Sequence, residues 1–131
     1  GDVYTGDFID GKRTGKGKLI WKSGNMYEGD FVDGARSGKG KYTWTDGETY
    51  EGDFINNKRT GKGRYVWKSG NVYEGDFVDG KCHGKGKRTW VGGDVYVGDF
   101  ANDKRSGKGK YTWADGRDYT GKFDGGIAVI D

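Results

Sequence analysis

A column of tyrosines constrains this chain more than any other feature: Tyr4, Tyr27, Tyr50, Tyr73, Tyr96 and Tyr119 each stand 23 residues from the next, with no slip. The same step carries Gly6, Gly29, Gly52, Gly75, Gly98 and Gly121, then Phe8, Phe31, Phe54, Phe77, Phe100 and Phe123, then Trp21, Trp44, Trp67, Trp90 and Trp113. A period in this range marks a solenoid or array, in which each unit is one supersecondary element stacked on its neighbours. The units fall at 4–26, 27–49, 50–72, 73–95 and 96–118, with a partial sixth over 119–131.

Within a unit the pattern has period two. In the run from Asn25 to Val32, Tyr27, Gly29 and Phe31 share one parity and Glu28, Asp30 and Val32 the other, which predicts a strand. A second run places Gly40, Tyr42 and Trp44 on one face and Lys41 and Thr43 on the other, and it is rich in residues that favour strands. After Trp come Ser23-Gly24, Asp46-Gly47, Ser69-Gly70, Gly92-Gly93 and Asp115-Gly116, pairs that suit two-residue hairpin turns. After Phe comes a longer turn, Asp33 to Lys39 in the second unit. Its second position is Gly11, Gly34, Asn57, Gly80 or Asp103, the residues most tolerant of left-handed backbone.

Two strands and two turns per unit, with no proline and no helical periodicity, predict an all-β chain: an elongated, twisted antiparallel sheet of stacked hairpins. At roughly 4.8 Å per strand the ribbon is on the order of 50 Å long. Only 31% of the 131 residues are apolar and 15% are aromatic, so Trp, Tyr and Phe must supply most of the burial, which suits a thin sheet better than a ball. The mid-strand glycine leaves bare backbone where an aromatic ring can lie flat, and Trp44 is the expected cover of Gly29 or Gly52.

Taken together these residues resemble the MORN repeat (membrane occupation and recognition nexus), whose pattern is close to Tyr-x-Gly-x-Phe/Trp, Gly-Lys, Gly-x-Gly, an aromatic and a turn glycine. Tyr50-Glu-Gly-Asp-Phe54, the run Lys58 to Gly63, Trp67 and Gly70 match it position by position. The departures are Asn57 and Asp103 at the turn glycine, Cys82-His83 in place of Arg-Thr/Ser, and Arg88 in place of an aromatic. The tail from Gly126 to Asp131 belongs to no repeat and is expected to cap the last edge or lead into further sequence. The resemblance implies a trough-like β scaffold of a kind that serves junction proteins, lipid kinases, a lysine methyltransferase and cytoskeletal organisers by binding protein segments, self-associating or sitting near membranes. Such a fold does not by itself assign a function.

Catalysis finds little footing. The only histidine, His83, adjoins the only cysteine, Cys82, but neighbouring residues point apart and no third group is implied, so no catalytic set is expected. Neither a metal site nor a cofactor is expected. The Gly-Lys-Gly triplets, such as Gly15-Lys16-Gly17, lack the spacing, hydroxyl and helix of a phosphate loop and read as structural turns.

Charge runs in rows. Lys16, Lys39, Lys62, Lys85 and Lys108 form one, Lys18, Lys41, Arg64, Lys87 and Lys110 another, and Asp7, Asp30, Asp53, Asp76 and Asp99 answer them. If the Lys16 row shares an edge with Arg13, Arg36, Arg59 and Arg105, these nine residues form a basic strip for anionic lipid headgroups. Otherwise opposite rows pair across strands and keep the sheet soluble. The aromatic candidates for a partner groove are Tyr27, Phe31, Tyr42, Trp44, Tyr50, Phe54, Tyr65, Trp67, Tyr73, Phe77, Trp90, Tyr96 and Phe100, with Trp and Phe expected to be mainly structural and Tyr more available.

Two functions therefore compete: a non-enzymatic scaffold holding an extended or helical protein segment in an aromatic groove, able to pair with itself through its end strands, and a peripheral module on an anionic membrane. A net charge of only +3 gives a nucleic-acid partner no support. A single cysteine and no Asn-X-Ser/Thr acceptor lean towards a cytoplasmic setting, at a membrane face or on the cytoskeleton. No stretch reads as a membrane span or signal peptide, and the chain opens inside the repeat pattern, as expected of a piece of something longer.

Overall fold

A computed structural model describes residues 1–130. Its strands form six successive hairpins: β1 (Val3–Ile9) with β2 (Lys12–Ile20), β3 (Met26–Val32) with β4 (Ala35–Thr43), β5 (Thr49–Ile55) with β6 (Lys58–Val66), β7 (Val72–Val78) with β8 (Lys81–Thr89), β9 (Val95–Ala101) with β10 (Lys104–Thr112), and β11 (Asp118–Asp124) with β12 (Ile127–Val129). All lie in one antiparallel sheet in chain order, so every strand pairs with its sequence neighbours. No helix among the described residues is long and apolar enough to cross a membrane.

The two kinds of turn are exchanged relative to the sequence reading. The connection after Phe is the tight one: Asp33 (φ 49°) and Gly34 (φ 86°) both have positive φ, the signature of a type I′ hairpin. Asn57 and Asp103 adopt φ 71° at the second position, which explains that column's restricted membership. The connection after Trp carries three residues rather than two. The Gly47 amide donates to the Trp44 carbonyl at 3.0 Å and the Trp44 amide to the Glu48 carbonyl at 2.9 Å, with Gly47 at φ 96°. This is a type I turn closed by a left-handed residue.

What looked like the rest of a long turn is a bulge inside the strand. Gly29 pairs with Gly40 and Phe31 with Arg36, leaving Ser37, Gly38 and Lys39 opposite Asp30 alone. The Asp30 carboxylate closes the gap by accepting the Lys39 amide at 2.9 Å. The Gly-Lys-Gly triplets are therefore bulges fastened by an aspartate, and Gly38 (φ 111°) lies where a Cβ would strike that carboxylate. The tail adds a short final strand, with Phe123 opposite Ala128; Asp131 lies outside the described residues.

A single layer has a core because its aromatic face packs along the sheet. Tyr27, Tyr50, Tyr73 and Tyr96 are 0% exposed. Each ring lies across the glycine of the next strand, Tyr27 on Gly40 and Tyr50 on Gly63. Its hydroxyl donates to the carbonyl three residues on, Tyr50 to Asp53 at 2.7 Å. Each ring also meets two phenylalanines edge to face: Tyr50 stands 5.1 Å from Phe54 of its own unit and 5.0 Å from Phe77 of the next. Such pairs add about 0.5–1.5 kcal/mol beyond area burial. The cover of the glycine is thus tyrosine, not Trp44: Gly29 and Gly52 face the opposing strand's backbone, with Gly52 against Gly63 Cα and the Lys62 carbonyl. Both the ring and the glycine therefore differ from the expectation: a tyrosine two residues before its own strand's glycine reaches the glycine of the neighbouring strand.

Candidate functional site

The aromatic face carries two parallel rails. The inner one is the buried Tyr–Phe series just described. The outer one is a ladder of tilted rings built from the second strand of each hairpin and the turn after it. Trp21 stands 5.2 Å from Tyr42, Tyr42 4.4 Å from Trp44, Trp44 5.3 Å from Tyr65, and Tyr65 4.8 Å from Trp67. It resumes with Trp90, Tyr111 and Trp113 at 5.3 and 5.0 Å. Between these two stretches the Arg88 guanidinium takes the place of a ring, 4.4 Å from Trp67 and 5.2 Å from Trp90. The tryptophans of the ladder are half-buried, and Trp113 is exposed.

Arginines lie between the rails. The Arg36 guanidinium sits 5.2 Å from the Tyr42 ring on one side and 5.6 Å from Phe54 on the other, while Arg59 is 5.2 Å from Tyr65 and 5.6 Å from Trp44. Each also latches the next unit: Arg59 donates to the Gly80 carbonyl at 2.9 Å, and the Gly80 amide donates back to the Arg59 carbonyl at 2.8 Å. Burial pulls the Arg36 pKa below its usual value. Shallow depressions recur along this face, one of about 210 Å³ among Arg36, Tyr42, Trp44, Phe54, Asn57 and Arg59.

Of the thirteen groove candidates, Tyr27, Phe31, Tyr50, Phe54, Tyr73, Phe77, Tyr96 and Phe100 belong to the inner rail, at 0–3% exposure. They support the surface from beneath. Tyr42, Trp44, Trp67 and Trp90 are half-buried on the outer ladder, and Tyr65 is buried among them. The phenylalanines are structural as expected, but tryptophan and tyrosine exchange duties: the tryptophans are more open and the column tyrosines closed, because the tyrosine ring is the one pressed onto glycine backbone. Burial drives the Tyr27 hydroxyl pKa up to about 12, ahead of the influence of Asp30.

The basic strip does not form. The Arg13, Arg36, Arg59 and Arg105 side chains lie on the aromatic face, and the Lys16, Lys39, Lys62, Lys85 and Lys108 row lies on the other, because Arg36 pairs with Phe31 whereas Lys39 pairs with Asp53. Ion pairs join Lys16 to Asp30, Lys39 to Asp53, Lys62 to Asp76 and Lys85 to Asp99. Each aspartate thus holds a lysine of the preceding unit and a bulge amide of its own, and the lysine's hydrogen bond, first among the causes, lowers the pKa of Asp30, Asp53, Asp76 and Asp99. The pattern breaks at the last unit, where Lys108 faces Lys122.

Cys82 and His83 do not converge. Cys82 is buried at 4% exposure, and burial raises its thiol to about 12, with Asp103 adding to the effect. His83 is exposed, and its Nδ1 accepts the Asn102 amide at 3.4 Å, as the Ser37 hydroxyl accepts that of Asn56. Among the described residues no cluster could hold a metal ion.

Sequence reasoning missed one column. Asn25, Glu48, Asn71 and Asp94 each accept a backbone amide from the following turn, and Glu48 and Asp94 also accept the hydroxyls of Tyr65 and Tyr111 at 2.6 Å. Its signal was present: from Asp2 through Asp94 the 23-residue step carries only residues with a side-chain acceptor, and it ends at Arg117.

Comparison with curated proteins finds no match. Among solved structures, the chain is similar to the SAS-4 (dCPAP) TCP domain of Drosophila melanogaster, solved in complex with a proline-rich motif of Ana2 (dSTIL), at 12% identity and a TM-score of 0.38, over 81% of this chain and 71% of that one. The MORN repeat family model matches five consecutive times, over residues 4–26, 27–49, 50–72, 73–95 and 96–116. With that pattern covering most of its length, the chain belongs to the MORN repeat family.

Proposed function

We propose that this chain is a non-enzymatic binding scaffold that holds a protein segment against the outer ladder of its aromatic face. The observation that carries the reading is the half-exposure of Trp21, Trp44, Trp67 and Trp90, which recur in a row along one face. Aromatic and arginine side chains dominate the energetics of protein contacts, and here both are held rigid by stacking and by the carbonyl latch. The segment lies across the strands, so it meets equivalent rings in successive units. Neutralisation of four lysines on the opposite face by aspartates weighs against the membrane alternative.

The test is selection of displayed random peptides on the immobilised protein, followed by titration of the selected peptides with intrinsic tryptophan fluorescence as the readout. Trp44→Ala is expected to weaken binding by about tenfold or more, as for an interface anchor. Lys62→Glu, on the other face, is expected to leave it unchanged. Co-sedimentation with anionic vesicles at physiological salt, sensitive to Lys62→Glu and indifferent to Trp44→Ala, would replace this reading with the membrane one.

A further inference from the structure

The repeat pattern is broken most deeply at one place, and the breaks share a surface. In the fourth unit Cys82 stands where Arg13, Arg36, Arg59 and Arg105 stand elsewhere, and Arg88 stands where Tyr42, Tyr65 and Tyr111 do. The arginine has in effect moved from between the rails into the ladder. A depression of about 310 Å³ lies there, lined by Arg59, Tyr65, Trp67, Arg88 and Asp103 among others.

Arg88 is left short of a counter-charge. Its Nε is buried without a hydrogen-bond partner, and no ion pair holds the side chain among the described residues. In the units on either side, the missed column supplies a carboxylate to the ladder residue: Glu48 to Tyr65 and Asp94 to Tyr111. Where the ladder residue is a cation, the column holds neutral Asn71, and its Oδ1 already accepts the Val91 amide at 3.0 Å. Asp103 lines the same depression and accepts the Cys82 amide on Oδ1 at 2.8 Å without forming an ion pair to Arg88, so two guanidinium groups there face one carboxylate. The depression therefore presents Arg88, with Arg59 beside it, between two tryptophan faces. The Nε itself is closed to solvent, so an arriving acceptor meets the open part of this half-buried guanidinium, for which a carboxylate is the strongest complement.

Resting on the scaffold reading above, we infer that this depression is an anchor point for an acidic side chain, Asp or Glu, of the bound protein segment, with the flanking part of the segment lying on Trp67 and Trp90. The chain selects its partner at this unit and holds it at the others.

Displayed random peptides test this on three proteins in parallel: the wild type, Asn71→Glu and Arg88→Tyr. Asn71→Glu gives the column the residue it has at Glu48 and occupies Arg88 from within. Arg88→Tyr restores the ladder residue of the sister units, and thermal unfolding verifies that both variants fold. Wild-type selections are expected to share an acidic residue at a fixed place in their common motif, and both variants to lose that preference while keeping the apolar part. A selected peptide changed from Glu to Gln is expected to bind the wild type about tenfold or more weakly and the variants with little difference. Wild-type motifs without an acid, or an acid preference that survives in both variants, overturn the anchor and leave the scaffold reading standing. Failure of all three proteins to select any peptide overturns both.

Discussion

Adding one methyl group at Gly63 should cost this array more than removing most surface side chains. A Cβ there would lie 2.5 Å from Tyr50 Cζ, against an ordinary separation of 3.4 Å or more. The ring must therefore retreat by about 1 Å, yet it is 0% exposed and held edge-on by Phe54 and Phe77 at 5.1 and 5.0 Å. Loosening two such pairs, at about 0.5–1.5 kcal/mol each, and the Tyr50–Asp53 hydrogen bond, at about 1 kcal/mol, gives a destabilisation of about 2–4 kcal/mol. Urea and thermal unfolding followed by tryptophan fluorescence measure it, with Gly92→Ala as the control: a Cβ there meets nothing within 4 Å, and a change within about 0.5 kcal/mol is expected. The cause is isolated by repeating Gly63→Ala in a Tyr50→Ala background, where the clash is gone and most of the penalty should vanish. Equal stability of Gly63→Ala and Gly92→Ala, or a penalty unchanged without the ring, would refute the overlay.

Gly52→Val should destabilise by several kcal/mol for a different reason, since its Cβ meets the backbone of Lys62 and Gly63, which cannot swing aside; Lys62→Glu, on a side chain 73% exposed, should cost under about 1 kcal/mol in the same unfolding assay. The lowered pKa values of Asp30, Asp53, Asp76 and Asp99 contribute stability that is complete above the unfolded value of 3.8 and lost as pH falls through the folded values, so the unfolding free energy should drop below about pH 4 and drop less steeply in Asp53→Asn. Raised tyrosines act at the other end: Tyr27, at about 12, favours the folded state below its unfolded value of 10.0, and that contribution should fade between those two values as pH rises. Cys82, raised from 9.0 to about 12, should alkylate with iodoacetamide at pH 8 on the order of 10²-fold or more slowly in the folded protein than in urea, as mass spectrometry would show; comparable rates would contradict its burial.

The strands were legible because period two survives in every unit, and the positive φ of Asn57 and Asp103 could be anticipated from their side chains. The turns were exchanged because Gly appears in both, and composition alone does not distinguish a left-handed residue in a turn from one in a bulge. Gly38 is the instructive case: its purpose depends on the Asp30 carboxylate, nine residues from the Lys39 amide that it accepts, which no local reading connects. The candidate site was legible as a face but not as a surface. Parity placed Tyr50 and Trp67 together, whereas which of them is covered depends on what lies across the neighbouring glycine. The separation of arginine from lysine was open to reading: Arg36 shares the parity of Tyr42 and Lys39 that of Lys41, and the bulge, three residues opposite one, preserves that alternation.

The carbonyl latch also shows where one joint of the array departs from the others. A linear repeat protein unfolds as a chain of coupled blocks, and the coupling across each joint decides how many units melt together. Four latches between neighbouring units, at Arg13, Arg36, Arg59 and Arg105, use both a guanidinium and a backbone carbonyl, whereas at Cys82 the guanidinium bond is missing and the joint is held by the Asp103 amide donating to the Cys82 carbonyl at 2.9 Å and the Cys82 amide donating to the Asp103 carboxylate at 2.8 Å. The joint between the fourth and fifth units is thus the one fastened differently, by a carboxylate where its sisters use a guanidinium. It runs beside the depression that holds Arg88, because Asp103, which takes the Cys82 amide in the guanidinium's place, lines that depression as well.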